Sequence, residues 1–288
     1  MKKLLFLILA ISGLNACIPS PIDIDVQPAP PSLCVASQVI GNSGIIIGLT
    51  RSYSPLQGSV EGDTTGNLLD EILVENAIVT ISYGAQTDTL SMVAPGIYSN
   101  LLIPIIEGET YVLRAKDPAK GLEVWASTVM QKRVTFDALN PVIYRTAADT
   151  QVYFRYTLHD NLSEENYYVV NFVKKVQGNA AFDINSIFAA GSNEVLTEFE
   201  LYDDQAFNNG VLNKDVRVMS VHHTDTVAVV VSGITKGYYE FLTAFKRSSS
   251  VFNQLTGEPI NYPTNIEDGH GYFTMHRMET TIYDLNQY

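Results

Sequence analysis

AIVTISY at 77–83, ETYVLRA at 109–115 and LEVWASTVM at 122–130 are the stretches that decide the fold of this chain. Each alternates apolar with polar residues at a period of two, the signature of a strand with one face in a core. Between them lie Gly84-Ala85-Gln86, then Thr87 to Val93, and then Gly96-Ile97-Tyr98 directly after a proline. Short strands at roughly ten-residue spacing, punctuated by turn residues, predict a β-sandwich. Trp125 stands between Val124 and Ala126 and is expected in the core or between the sheets.

Towards the N-terminus the β pattern continues. LCVASQVI at 33–40 and an apolar run ending in Leu49-Thr50-Arg51-Ser52 flank a Gly- and Asn-rich break at 41–44. The polar segment from Ser54 to Asn67 reads as a protruding loop long enough to be functional. Towards the C-terminus the pattern resets between Arg133 and Pro141, which places a domain boundary there. The reading is therefore mainly β, with two sandwich-like domains, 33–133 and 134–288. In the second domain Val152, Phe154, Tyr156 and Leu158 share one strand face, and Tyr167 to Val176 forms another strand. Ala180 to Ala190 is ambiguous between loop and short helix, and Asp203 to Gly210 suits one helical turn ending on Asn-Gly. Val216 to Val221 and Thr226 to Ser232 are expected to pair as a hairpin across His222 to Asp225, and Gly271 to Thr280 reads as a closing strand. One helix stands out: Thr235 can cap it, and Tyr238, Phe241, Leu242 and Phe245 fall on one stripe expected to pack on a sheet.

The N-terminus assigns a compartment. Met1-Lys2-Lys3 precedes the apolar run LLFLILAI at 4–11, too short for a bilayer span of about 20 residues and suited to a signal peptide over 1–16. It ends in Leu14-Asn15-Ala16-Cys17, a lipobox pattern that makes Cys17 the acylated first residue of the mature chain. Residues 17–32 carry five prolines (19, 21, 28, 30 and 31) and read as a lipidated, extended tether. Asp23 and Asp25 resemble the acidic surface-export signal of some bacterial lipoproteins. With Cys17 acylated, Cys34 has no partner for a disulfide and is expected as a buried, inert thiol on a strand. The formal charge of −13 becomes more negative once Lys2 and Lys3 are removed, which argues against nucleic acid as a partner.

No residue pattern points to catalysis, to a cofactor or to a metal. His222 and His223 are adjacent and would face opposite ways on a strand, and a solvated turn with Asp225 explains them. A Gly-x-Ser-x-Gly elbow and a phosphate-cradling glycine loop are both missing, and Glu164-Glu165 and Asp203-Asp204 read as loop charges. The 16 tyrosines are a weak pointer to contact surfaces. Candidate binding residues are Tyr53, Tyr262, His270 and Tyr272, in or beside turns, within a contact surface formed by the 54–67 loop and the 248–272 segment.

The order of several short motifs is familiar. Cys17 with IDID at 22–25, LTRS at 49–52, ENAIVTIS at 75–82, and Gly96-Ile97-Tyr98 followed by EGETYVLRA at 107–115 carry the likeness in the first half. Asp204 to Gly210, the strand after Asp225-Thr226, YYEFL at 238–242 and TNIEDGHGYF at 264–273 carry it in the second. Across the mature chain the sequence resembles an uncharacterised family of surface lipoproteins of Bacteroidota, encoded beside SusC-like TonB-dependent barrels. It departs from the family pattern at Ala36-Ser37, where a Gly-Trp type pair is expected, and at Glu267-Asp268 and His270. The resemblance implies an Ig-like or transthyretin-like first domain, a β-rich second domain and no known catalytic residues. The expectation is thus a non-enzymatic, lipid-anchored outer-membrane protein at the cell surface, partner to a SusC-like barrel in ligand capture or membrane assembly. The rivals are a stand-alone surface lipoprotein binding polysaccharide or peptide, and a hydrolase with carboxylates hidden in loops.

Overall fold

The computed structural model describes residues 29–41, 43–53, 71–145, 150–175, 197–219, 221–248 and 261–288. The leader with Cys17, most of the tether, the 54–67 loop and the 180–190 segment lie outside the described residues. The chain is mainly β, in sandwich-like layers with a short helix.

The first unit begins with β1 (Leu33–Val39), β2 (Ser43–Arg51), β3 (Ile78–Tyr83) and β4 (Gln86–Ala94). It continues with β5 (Ile97–Pro104), β6 (Thr110–Asp117) and β7 (Leu122–Val129). These strands pair in the order β7-β6-β3-β4-β5-β2-β1, all antiparallel. β4 serves two partners, pairing with β3 over Gln86 to Leu90 and with β5 from Ser91 onward, across a bulge at Met92 to Ala94. That irregularity carries the chain from one layer to the other.

Alternation sets the core. β6 turns Tyr111, Leu113 and Ala115 inward to meet Val124 and Ala126 of β7, with Ile45, Ile47 and Leu49 of β2 in the same cluster. Each such aliphatic or aromatic side chain contributes roughly 1.5–3 kcal/mol. The same alternation corrects the expectation for Trp125. With Val124 and Ala126 facing in, Trp125 must face out, and it is 48% exposed. The two fully buried tyrosine hydroxyls of this core are satisfied: Tyr98 donates to Val74 O (2.8 Å) and Tyr111 to Pro104 O (2.6 Å).

The second unit comprises β8 (Ala138–Arg145), β9 (Thr150–His159), β10 (Tyr167–Lys175), β11 (Thr197–Asp203), β12 (Val211–Val218) and β13 (Thr226–Ile234). Helix α1 (Lys236–Ser248) follows, then β14 (Ile266–Glu267), β15 (Gly269–Tyr272) and β16 (Glu279–Asp284). One sheet has the order β11-β10-β13-β16 and the other β12-β9-β8. Val152, Phe154, Tyr156 and Leu158 of β9 are all buried between them, as their shared face predicts. The hairpin expected across His222 to Asp225 does not form: β12 pairs with β9 and β13 with β10, in different sheets. The turn is an arch instead. The Asp225 carboxylate ties it down, accepting from His222 N (2.7 Å) and pairing with Lys174 Nζ (2.9 Å).

Residues 33–133 do not complete the first sheet by themselves. β14 pairs with β7, and β15 pairs in parallel with β1, so both edges of the first sheet are covered by one short segment from the C-terminal part, which passes from one edge to the other at Asp268. Ile266, Phe273 and Met275 lie in the first core. The physical reason is the edge problem, since β1 and β7 would otherwise present unpaired backbone. The closing strand expected over 271–280 is accordingly divided, with β15 in the first unit and β16 in the second. Gly271 permits the approach. Its φ is +92°, and a Cβ there would fall 2.0 Å from Val35 O.

An ion pair sits at the end of the first unit where the tether enters. Arg51 Nε contacts Asp117 Oδ2 at 2.7 Å, with Asp117 fully buried, and Arg51 also donates to the carbonyls of Glu71 and Leu73. Removing one partner strands a buried charge, so Arg51→Met should lower stability by roughly 3–5 kcal/mol. The double variant Arg51→Met, Asp117→Leu should recover most of that loss in urea unfolding. A single-variant loss below about 1 kcal/mol would contradict the keystone role.

Candidate functional site: a cleft between the two sandwiches

β7 runs from the tether end of the first unit towards the second, and its far end opens on a cleft of about 430 Å³. That volume is within the usual range of small-molecule sites, roughly 300–1,000 Å³. Ser127, Thr128, Val129 and Gln131 form the wall from the first unit. Glu165, Tyr167, Ile234 and the start of α1 form the opposite wall, and Asn265 and Tyr272 join the two.

Each wall is held by local chemistry. Thr235 caps α1 through its hydroxyl, which accepts from Tyr238 N (3.3 Å). Asn265 donates to Ser127 O (3.2 Å) and Phe273 O (2.7 Å) and accepts from Phe273 N (2.9 Å), so one side chain links β7 to the chain after β15. Tyr272 brings its hydroxyl against Gly237, where a Cβ would lie 2.2 Å away. A side chain at position 237 would displace the Tyr272 ring.

On the open side, Tyr167 Oη donates to Glu165 Oε1 (2.5 Å), and Lys236 Nζ donates to the same oxygen (3.3 Å). The hydrogen bonds from Tyr167 and Lys236 hold the Glu165 carboxyl below its ordinary value, and the Glu165 carboxylate raises that of Lys236. Behind the cleft lies an aromatic cluster. Tyr238 packs on Tyr272 (5.2 Å), Phe241 (5.9 Å) and the His276 ring (5.6 Å), and Phe241 also meets Tyr262 (5.9 Å). Burial pushes Tyr238 up to about 12 and His276 down to about 4. Of the α1 stripe, Tyr238 and Phe241 thus pack on Tyr262, Tyr272 and His276, the helix also lies against β10, and Phe245 remains 46% exposed.

The four sequence-derived binding residues divide. Tyr262 and Tyr272 come together through Phe241, at 5.9 and 5.5 Å. Tyr272 is only 9% exposed, which corrects its reading as an open contact residue: α1 covers it. His270 is exposed on β15, in register with Cys34, and Tyr53 follows β2 at the tether end, away from the cleft. Cys34 is half-buried, and its thiol is pushed up by burial. Ser127, Gln131, Tyr167, Lys236 and Asn265 were not singled out from sequence. Glu165 was read as a loop charge, which it is, but one that joins the cleft wall. Asn265 alone lay inside a recognised motif.

Chemically the cleft offers rings, hydroxyls, amides and one balanced charge pair, a set suited to binding. Among the described residues no group of three or more His, Cys, Asp or Glu could hold a metal ion, and no helix is long and apolar enough to cross a membrane. The chain belongs to a family described as Domain of unknown function (DUF4249), whose model matches residues 19–282. No curated protein matches it.

The depressed His276 makes the cleft's backing pH-sensitive. Below the ordinary value of 6.5 the unfolded chain takes up a proton that the folded chain refuses until about pH 4. Stability is thus full above pH 6.5, falls between pH 6.5 and 4, and then levels, by at most about 3 kcal/mol. Unfolding free energies measured across that window should show the fall in the parent and a flatter profile in His276→Gln. Identical slopes would refute the assignment.

Proposed function

We propose that this protein is a lipid-anchored outer-membrane lipoprotein facing the cell surface, which works by contact as the accessory partner of a SusC-like, TonB-dependent barrel. Its task is ligand capture or outer-membrane assembly, with no catalytic step of its own. The observation that carries the reading is Leu14-Asn15-Ala16-Cys17 at the end of a short apolar run. Acyl chains on Cys17, at about 0.8 kcal/mol per buried methylene, suffice for stable anchoring.

The arrangement of the body supports a contact role. The chain enters the first sandwich at Ser32, whose N–H and hydroxyl bond the Ser52 hydroxyl (2.9 and 3.2 Å), at the end opposite the cleft. The entry to β1 at Ser32 and the cleft thus lie towards opposite ends of β7, and a Pro-rich tether at ~3 Å per residue would let an acidic body stand off an anionic surface.

Two measurements test this. Cys17→Ala should move the protein from the membrane fraction to the soluble fraction, and retention in the membrane would contradict the anchor. The tagged native lipoprotein, extracted in mild detergent, should bring down a large barrel protein. Recovery as a free monomer would count against the partnership while leaving the anchor intact.

A further inference from the structure

Trp125 is the only tryptophan in the chain, and it stands 48% exposed on the outer face of β7. The same face of β7 carries Ser127 and Val129, which line the cleft. Indole and cleft are therefore one continuous surface, and residues 125 to 129 span about 13 Å at ~3.3 Å per residue. That length exceeds a single small ligand and suits a short linear one.

The chemistry of the track narrows the ligand. Its charges balance, three against three: Lys236 meets Glu165 at 3.3 Å, Arg114 and Lys116 share Glu123 at 3.1 and 4.0 Å, and Glu267 stands directly opposite Trp125 on β14. A lining with balanced charge gives no purchase to a strongly anionic or cationic chain. The backbone is closed to an added strand as well. β14 occupies the edge of β7 at Trp125 and Ala126, and Asn265 takes the Ser127 carbonyl. An extended peptide would find no free ladder there.

What remains is a flat indole at one end, and the Tyr167 ring, the Gln131 amide and small hydroxyls at the other. A pyranose ring is built to match such a surface. Its C–H face packs on an aromatic face, and its rim of hydroxyls both donates to and accepts from amide and hydroxyl groups. We propose that this track binds a neutral linear oligosaccharide, with one sugar on Trp125 and the chain running along β7 into the cleft beside Gln131 and Tyr167.

The single tryptophan supplies the readout. The mature chain carrying Cys17→Ala, titrated with cellohexaose, maltohexaose, mannohexaose and xylohexaose, should show a saturable change in indole emission with at least one of them. By calorimetry, Trp125→Ala should weaken that binding at least about tenfold, Trp125→Phe less, and Gln131→Ala by several fold. Both sites reach the surface, so the three variants should retain the parent's circular dichroism. Silence with all four sugars would overturn the proposal, as would undiminished binding by Trp125→Ala, or an emission change with a mixed peptide library and none with sugars. The proposal does not depend on a barrel partner: barrel capture without sugar binding removes this inference alone, and sugar binding without a barrel removes the other.

Discussion

The approach of Gly271 to the backbone of Val35 is the constraint on which the rest of the structure depends. It lets β15 lie in parallel against β1 while β14, a few residues earlier, lies against β7. One short segment thereby covers both edges of the first sandwich, and the residues that follow it place Phe273 and Met275 in its core. A side chain at position 271 would meet the Val35 carbonyl and meet a φ of +92° as well, so two separate penalties protect the glycine. The segment that completes the first sandwich thus comes from the far end of the chain.

The same segment makes the cleft. Asn265 leads into β14, and Tyr272 ends β15. The first holds β7 by its Ser127 carbonyl, and the second carries the aromatic contacts to α1. Further links tie the residues after β15 to the first unit, with Gln131 N donating to Met275 O (3.0 Å) and Arg277 to Ile105 O (2.9 Å). The cleft walls are thus fixed to one another through the element that completes the fold, a preorganised arrangement that limits the entropy lost on binding.

Much of this was legible. Period-two alternation located the strands of the first unit and β9, β10 and β13 of the second, and Thr235 with its stripe located α1, because these signals are local; β8 and β11 went unread. Alternation alone does not say which parity faces the core, and so Trp125 was misplaced: size suggested burial where register demanded exposure. Strand partners were harder still. β12 and β13 look like a hairpin because they are near in sequence, yet the Asp225 arch sends them to different sheets. TNIEDGHGYF at 264–273 was noticed as a motif without a reason. Its reason is long-range, since its glycines and Asn265 answer to β1 and β7, more than a hundred residues away in the chain. Of the candidate binding residues, Tyr262 and Tyr272 were found through their type, whereas Lys236, Gln131 and Ser127 become neighbours only after the chain folds back.

Motifs shared in the resemblance fall on structural keystones: Arg51 on the buried Asp117, Tyr98 and Tyr111 on backbone carbonyls, and Gly271 on Val35. The central claim, that the β14–β15 segment joins the two sandwiches into one cooperative body, has a direct test in urea unfolding of Gly271→Ala followed by two probes. Trp125 emission reports the first unit and far-ultraviolet circular dichroism reports both. Coincident transitions in parent and variant, displaced together to lower urea in the variant, are the expected result. A variant whose Trp125 transition is unmoved, or two probes that separate in the parent, would contradict the account.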